Sequence, residues 1–274
     1  GAYATPDKPR APIVIAQVDI YGSNRHKLAR IITDESWRTH PSPNKLIGNW
    51  DFGAGGYGGE IWDANREIDG WDQPNYNDQS WQKATVYTPK LKLSAQRVET
   101  NKLFREIQPV SIEKRSDGSY RVDMGVNFAG WTQIHVKGNP GDTVRFLFSE
   151  REQNDMTFGL QNAFVIGQTG EGTFRNRFNY SSGRWITILG LKSELRKEDI
   201  KGWNVRTDYK NARTFECSDP LQNWIYKTIR WTFENLTLGG YVVDCPQRER
   251  LGYGGDAHAT SETGLFNYKL GAFY

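Results

Sequence analysis

Apolar and polar residues alternate in several short stretches before residue 210, as they do in half-buried β-strands. The pattern begins in APIVIAQVDIYG (residues 11–22) and returns in KLARIITDESWRTH, which starts at Lys27. Two alternating stretches, WTQIHVK and TVRFLFSE, are joined by GNPGD, a strong turn signal. Further strands are predicted in TFRNRFNY, RWITILGL and IKGWNVRTDY. Strands at short intervals with polar turns between them predict antiparallel β-sandwich architecture.

The periodicity changes near Ser218. Asp219 and Pro220 are the favoured pair of an N-cap and a first helical residue, and Gly239 lies where that helix should end. Apolar residues recur about 3.6 positions apart within it, which predicts one buried stripe. These residues are Leu221, Trp224, Ile225, Ile229 and Leu236. A second helix is predicted in DAHATSETGLFNY, with Asp256 as its cap.

We therefore predict three domains: an N-terminal β-domain (residues 1–100), a β-sandwich (101–217) and a helical domain (218–274). Two helices cannot bury both of their faces by themselves. The helices are expected either to dock on the sandwich or to belong to the front part of a longer protein. The first and last domains are accordingly expected to be incomplete.

The composition narrows the classes of function. With 37% hydrophobic and 24% charged residues, the 274-residue chain has enough apolar material for a sizeable core. A net charge of +3 without a basic run gives no indication of nucleic-acid binding. No apolar run approaches the roughly 18 residues that a membrane helix needs. The first twelve residues lack the pattern of a signal peptide, which leaves secreted, periplasmic and cytoplasmic locations open.

Aromatic residues and cysteines add two further expectations. The 10 tryptophans and 13 tyrosines favour β-architecture, and exposed aromatic rings are common platforms for sugars, although burial in the core is the more frequent fate of a tryptophan. Cys217 and Cys245 are too few for a disulfide framework, and we expect both to be small buried residues rather than reactive thiols.

The segment VVDCPQRERLGYGGDAH (residues 242–258) concentrates the charges that could carry chemistry. Asp244, Glu249 and Asp256 are spaced so that a glycine-rich loop can bring them into one pocket. Converging acids raise one another's pKa, and glycosidic cleavage needs a protonated carboxyl group. An arginine aimed at Glu249 would keep it ionised, so Arg248 and Arg250 are expected to engage the other acids or the substrate. On the residues alone, an ion-pair network is the more common explanation.

DCPQRERLGYGGDA resembles the signature of the bacterial α-L-rhamnosidases of glycoside hydrolase family 78, in which it opens the (α/α)6-barrel catalytic domain. GEIWDANREIDGWDQPNYNDQSW resembles the family's N-terminal carbohydrate-binding β-domain. VDMGVNFAGWTQIHVKGNPGDTVRFLFSERE is similar to the following β-sandwich, and FECSDPLQNWIYKTI to the start of the barrel. The resemblance implies a mainly β chain of antiparallel β-sandwich domains followed by the first helices of an (α/α)6 barrel.

The resemblance also implies roles for individual residues. Glu249 matches the general acid, which protonates the glycosidic oxygen. Asp244 and Asp256 match acids that hold the hydroxyls of rhamnose, and Arg248 matches an arginine that contacts the sugar or an acidic neighbour. Tyr253 stands where the family usually has tryptophan, as a ring against the apolar face of the sugar.

The family inverts the configuration of the sugar, which implies a second carboxylate roughly 6.5–9.5 Å from the acid. That base is a glutamate further along the family's barrel, beyond the residues of this chain. We therefore expect the full-length protein to release terminal α-L-rhamnose from a rhamnose-containing oligosaccharide or glycoside. The 274 residues alone are expected to have little or no activity. No cofactor is required.

Two other functions stay open. A non-catalytic carbohydrate-binding module could use the faces and polar groups of Trp62, Asp63, Asn65, Trp71 and Trp81, with calcium as a further ligand in the N-terminal domain. Turn capping is the simpler explanation of Asp63 and Asn65. A purely structural β-sandwich with a helical appendage is the third hypothesis. A catalytic metal is not predicted, because Asp256 and His258 do not by themselves make a site.

Overall fold

The computed structural model describes residues 13–48, 58–87 and 94–274. The chain divides into two compact units, one of Gly1–Ser42 with Glu67–Ser94 and one of Pro43–Arg66 with Ala95–Tyr274. The start of the strand predicted at residues 11–22 and the signal-peptide region lie outside the described residues. The division into three domains stays a prediction.

The described residues form sixteen strands and two α-helices. In chain order, the strands are β1 (Gln17–Tyr21), β2 (Lys27–Ile32), β3 (Arg38–Thr39), β4 (Asn44–Ile47), β5 (Gly59–Asp63), β6 (Gln82–Lys83), β7 (Asn101–Ile107), β8 (Ser111–Lys114), β9 (Tyr120–Lys137), β10 (Thr143–Ser149), β11 (Gln161–Val165), β12 (Glu171–Arg175), β13 (Ser181–Leu189), β14 (Ile200–Thr207), β15 (Thr237–Leu238) and β16 (Tyr241–Val242). The helices are α1 (Pro220–Leu236) and α2 (Gly254–Asn267), and two 3₁₀ turns span Ala64–Arg66 and Lys197–Asp199. The predicted fold class, mainly β with helices after the strands, is confirmed.

The first unit contains two short antiparallel pairs, β1 with β2 and β3 with β6. Asp19 of β1 accepts a 2.6 Å hydrogen bond from Nε of Arg30 in β2, and this ion pair holds the pKa of the Asp19 carboxyl at about 2. The Arg30 side chain is 48% exposed while Asp19 is half-buried, and an ion pair with one exposed partner adds little to stability.

The second unit is built on one curled sheet with the order β4-β5-β11-β10-β13-β9-β14-β7, and β8 and β12 also pair with β9. Its pairings are antiparallel except that of β5 with β11, which is parallel and departs from the prediction. The long strand β9 pairs along its length with four different strands, and its register with β13 shifts between Gly183 and Trp185. Such an irregularity bends a strand, which lets one sheet wrap around its own core.

The sheet encloses an almost solvent-free core. Buried residues alternate with exposed ones from Thr143 to Phe146 of β10, as the sequence pattern predicts, and the strand is then buried on both faces as far as Ser149. Each fully buried aliphatic or phenylalanine side chain contributes roughly 1.5–3 kcal/mol relative to an exposed one. The most buried residues include Val122, Ile134, Val144, Phe146, Phe164 and Ile188.

The turn predicted in GNPGD is confirmed, but the two strands that it joins do not pair. Asp142 donates its backbone N–H to the carbonyl of Asn139 over 3.0 Å, which closes the turn. β10 then pairs with β11 and β13, while β9 pairs with β12 and β14 on the side of this turn. Both edges of β9 are thus already occupied, and the turn redirects the chain rather than making a hairpin.

Helix α1 begins as predicted, with the Asp219 carboxylate accepting a 2.8 Å hydrogen bond from the Leu221 N–H. The predicted buried stripe is wrong, because most of its residues are exposed, including Trp224 at 63%. The packed face is instead partly polar. Arg230 donates hydrogen bonds to the Tyr268 hydroxyl (3.0 Å) and to Oδ1 of Asn211 (2.8 Å). The face of the helix that is turned inward carries the buried residues Phe233 and Asn235.

Helix α2 begins with Tyr253 as its N-cap, and the prediction of Asp256 as the cap is wrong. Asp256 lies in the first helical turn, where a carboxylate is stabilised by the helix dipole. α1 and α2 meet in a second core, in which Phe233 and Tyr268 stack with ring centroids 5.5 Å apart. Over residues 13–48, 58–87 and 94–274, the structure has no helix whose length and apolar character would suit a bilayer crossing.

Candidate active site

A β-hairpin with a two-residue turn directly precedes the charged segment. Gly239 and Gly240 connect β15 to β16 with φ angles of 73° and 81°, a conformation that glycine adopts without steric cost. Asn101 of β7 anchors this hairpin by accepting a 3.0 Å hydrogen bond from the Gly239 N–H. The segment that follows is therefore fixed to the sheet at its entry.

The segment between β16 and α2, residues 243–253, forms a closed loop that we call the charged loop. Asp244 donates its backbone N–H to the carbonyl of Leu251 over 3.0 Å, which joins the two ends of the loop. At its centre, the carbonyl of Cys245 accepts backbone hydrogen bonds from Arg248 (3.3 Å) and Arg250 (3.2 Å). Arg250 has a positive φ of 57°, so the loop turns sharply immediately after Glu249.

Two of the three predicted acids come together, and a thiol joins them. Asp244, Cys245 and Glu249 each place a polar side-chain atom within 4.8 Å of the other two, and all three residues are half-buried. Asp256 is not a member of this group. The distances would suit metal ligands, but hydrogen bonds within the group already account for the arrangement, and no metal site is inferred.

Cys245 is a site residue whose role the sequence did not indicate. Its Sγ donates to Oδ2 of Asp244 over 2.9 Å and accepts from the Glu249 N–H over 3.4 Å. Burial, and then the hydrogen bond with Asp244, raises the pKa of the thiol. The group is therefore a protonated donor that fixes the carboxylate of Asp244. Both cysteines are half-buried rather than buried as predicted.

Glu249 has both carboxylate oxygens engaged. Oε1 lies 2.9 Å from Nη2 of Arg248, and Oε2 accepts a 2.8 Å hydrogen bond from the Tyr253 hydroxyl. The expectation that the arginines turn away from Glu249 is therefore wrong for Arg248. The two side chains are neighbours on the outer side of the turn, and that of Arg248 is 46% exposed. Contact with the Cys245 sulfur, and then the charge of Glu249, raises the pKa of the Arg248 guanidinium.

Arg250 points the other way and is buried in the interior of its unit. Its Nη1 donates a 2.6 Å hydrogen bond to Oδ1 of Asn179, and its Nε donates to the Pro246 carbonyl over 2.8 Å. The guanidinium also lies 4.1 Å from the ring centroid of Tyr180. This second arginine of the motif therefore ties the charged loop to the segment that precedes β13.

The candidate residues of the N-terminal part, Trp62, Asp63 and Asn65, make contacts within the fold. Oδ1 of Asp63 accepts from the Asn65 N–H over 3.1 Å, as a turn cap does. Nδ2 of Asn65 donates to the carbonyl of Ile166 over 3.1 Å. Trp62 packs on the main core, and the guanidinium of Arg177 lies 4.4 Å from its ring centroid. Sugar or calcium binding by these residues stays a prediction.

Three domain models match successive parts of the chain. They are the α-L-rhamnosidase N-terminal domain at residues 5–105, the bacterial α-L-rhamnosidase concanavalin-like domain at residues 113–206, and the bacterial α-L-rhamnosidase 6 hairpin glycosidase domain at residues 210–274. All three descriptions name domains of one class of protein, the α-L-rhamnosidase type of glycosidase. In the structure the strands of the first two matches precede the helices of the third. The chain belongs to the bacterial α-L-rhamnosidase family.

Individual relatives agree with this assignment. An α-L-rhamnosidase of Formosa agariphila is 31% identical over 263 residues, which are 90% of this chain and 26% of that protein. An α-L-rhamnosidase of Alteromonas sp. is 26% identical over 92% of this chain and 28% of that protein. The chain thus spans little more than a quarter of the length of these curated relatives.

Solved structures show the same similarity in three dimensions. The α-L-rhamnosidase from Dictyoglumus thermophilum superposes with a TM-score of 0.84 at 30% identity, over 95% of this chain and 30% of that one. The native enzyme from Aspergillus terreus gives a TM-score of 0.81 at 26% identity, over 94% and 30% of the two chains. The two helices at residues 220–267 accordingly correspond to the start of a helical barrel, as predicted.

Proposed function

We propose that this chain supplies the proton-donating half of the active site of an inverting α-L-rhamnosidase, which releases terminal α-L-rhamnose from rhamnosides. The observation that supports the proposal is the geometry of Glu249, whose half-buried carboxylate is held by Arg248 and Tyr253 beside Asp244. This group lies within the residues that match the glycosidase domain model.

In the proposed reaction, Glu249 donates its proton to the glycosidic oxygen while the bond between that oxygen and the anomeric carbon breaks. Arg248 occupies Oε1 of Glu249 while the two are paired, so its side chain must move away before that oxygen can reach the glycosidic oxygen. Its side chain is exposed enough to turn toward a sugar hydroxyl.

The other site residues are assigned to binding. Asp244 and Asp256 accept hydrogen bonds from the hydroxyls of rhamnose. Tyr253 holds Oε2 of Glu249 through its hydroxyl and presents its ring to the apolar face of the sugar. We further propose that the general base lies outside these 274 residues. This base is a carboxylate roughly 6.5–9.5 Å from the carboxyl group of Glu249, and it removes a proton from the attacking water.

The experiment compares two glutamine variants in the longer enzyme that carries this chain. Glu249→Gln should lower kcat on a rhamnoside with a poor, alkyl leaving group by about 100-fold or more, because such a group must be protonated. The kcat of Glu249→Gln on a nitrophenyl rhamnoside should fall by a smaller factor, because the nitrophenolate leaving group departs without a proton. Glu262→Gln, on the exposed surface of α2, is the matched control.

Two results would contradict parts of the proposal. Equal activity of Glu249→Gln and Glu262→Gln on the alkyl rhamnoside would exclude Glu249 as the acid. Robust turnover by residues 1–274 alone would exclude a general base outside the chain, while leaving the role of Glu249 open.

A further inference from the structure

A groove lined by aromatic side chains lies in the second unit and is separate from the acid cluster. Its volume is about 310 Å³, within the range of small-molecule sites. Trp131 of β9, Phe178 and Tyr180 before β13, and Tyr241 of β16 supply the rings. We call this feature the aromatic groove. Glu249 is not among the residues that line it.

Phe178 is unusual because a large apolar side chain is 82% exposed on a rigid backbone. The carboxylate of Glu60, which is completely buried, accepts the backbone N–H groups of Arg177 (3.0 Å), Phe178 (2.9 Å) and Asn179. Three consecutive amides are thus fixed by one side chain. The backbone that carries the Phe178 ring therefore needs little additional ordering when a ligand binds.

The aromatic groove is connected to the charged loop through Arg250. The guanidinium of Arg250 contacts the ring of Tyr180, and the Tyr241 hydroxyl donates to the Arg250 carbonyl over 3.4 Å. Arg250 directly follows Glu249 in the chain. Two walls of the groove are therefore in contact with the residue next to the proposed acid.

The polar rim indicates a neutral ligand. Lys102, the cationic residue of the lining, forms an ion pair with Asp208, so its charge is already compensated. Asn101 provides an amide beside the rings. Aromatic faces with a few hydrogen-bonding groups suit the apolar C–H face and the hydroxyls of a pyranose ring.

We propose that the aromatic groove binds a second sugar ring of a rhamnose-containing glycan, so that the chain holds its substrate outside the cleavage site as well. The identity of this ligand rests on the proposed function, whereas the existence of a sugar site rests on the groove itself. Phe178 is the residue expected to contribute most to affinity, because its ring is presented by a fixed backbone.

Calorimetry and saturation-transfer NMR measure the binding of saccharides to residues 1–274. The probes are methyl α-L-rhamnoside and the disaccharide of two α-1,2-linked rhamnose units. Phe178→Ala should weaken binding of the disaccharide about three- to tenfold, the range expected for loss of one aromatic contact. Phe266→Ala is the matched control, because this phenylalanine of α2 is also exposed but does not line the groove. The control should bind like the unsubstituted chain.

Three outcomes would overturn the proposal. The first is the absence of saturable binding of either probe by the unsubstituted chain. The second is an equal effect of Phe178→Ala and Phe266→Ala. The third is binding that Glu249→Gln abolishes and Phe178→Ala does not change, which would assign the sugar to the acid cluster alone. None of these outcomes decides whether Glu249 is the acid, because the kinetic experiment tests that role separately.

Discussion

The buried guanidinium of Arg250 donates a 2.6 Å hydrogen bond to Oδ1 of Asn179, 71 residues earlier in the chain. This contact joins the charged loop to the segment that Glu60 holds in place. The conformation of the loop around Glu249 is thus determined from the β-sheet side as well as by its own turn. The two arginines that flank Glu249 consequently have different tasks: Arg248 contacts the carboxylate, and Arg250 fixes the backbone.

Arg250→Ala is expected to destabilise the protein by about 1.5–3 kcal/mol, because hydrogen bonds of a charged group are lost and Asn179 is left with a buried acceptor. Arg248→Ala, in the same loop, is expected to cost less than about 1 kcal/mol, since its ion pair is partly exposed. Urea denaturation of both variants measures the difference. Equal losses of stability would show that Arg250 does not anchor the loop.

Gly252 is expected to tolerate no side chain. A Cβ atom there would lie 2.5 Å from Cδ2 and 3.0 Å from Cγ of Tyr241, so the ring would have to move. Gly252→Ala should therefore destabilise the protein by about 1–3 kcal/mol and reduce saccharide binding in the groove that Tyr241 lines.

Gly255 provides the control for this prediction. It lies in the first turn of α2, and an added Cβ meets no atom within 4 Å. Gly255→Ala should stabilise the helix by about 0.5–1 kcal/mol, because alanine loses less backbone entropy. Thermal unfolding checks both substitutions. The interpretation of the glycines is wrong if the two variants change stability in the same direction.

The Cys245 thiol is expected to react slowly with iodoacetamide near neutral pH. Its pKa is raised by burial and by the hydrogen bond to Asp244, and only the thiolate reacts. Asp244→Asn removes the negative neighbour, so the midpoint of the rate against pH should move to lower pH. Peptide mapping separates Cys245 from Cys217, which serves as the internal reference. An unchanged midpoint for Cys245 would refute the assigned contact.

Local signals in the sequence were sufficient to predict several elements. Asp219 followed by Pro220 fixes the start of α1, because capping depends on neighbouring residues alone. The fold class follows from the alternating strands in the same way. The acid pair of Asp244 and Glu249 was predictable because both lie on one short loop.

Long-range contacts explain what the sequence pattern missed. The apolar stripe of α1 was expected to be buried, but the helix packs with another face, on which Phe233 stacks against Tyr268 and Arg230 donates a hydrogen bond to the Tyr268 hydroxyl. The structural role of Arg250 depends on Asn179, and that of Glu60 on amides more than 100 residues away. The pattern of residues along the sequence does not show which distant residues will be in contact in the fold.

The junction of the two helices should weaken at alkaline pH. Burial raises the pKa of Tyr209, and burial together with a hydrogen bond to Glu234 raises the pKa of Tyr268. A tyrosine in the unfolded chain has a pKa of about 10. Because the folded-state values are higher, the contribution of these tyrosines is fully present below about pH 10 and is lost as the pH rises through the folded-state pKa.

Tyr268→Phe tests this origin of the pH dependence. The variant keeps the ring that stacks on Phe233 but lacks the phenol, so its stability should be lower at pH 8, where the bonds to Glu234 and Arg230 are lost. Above about pH 10 its unfolding free energy should fall less steeply than that of the unsubstituted chain, because one phenol no longer titrates. Urea denaturation at several pH values gives both slopes. Identical slopes would show that Tyr268 does not couple alkaline titration to folding, and that the helices are held independently of its protonation.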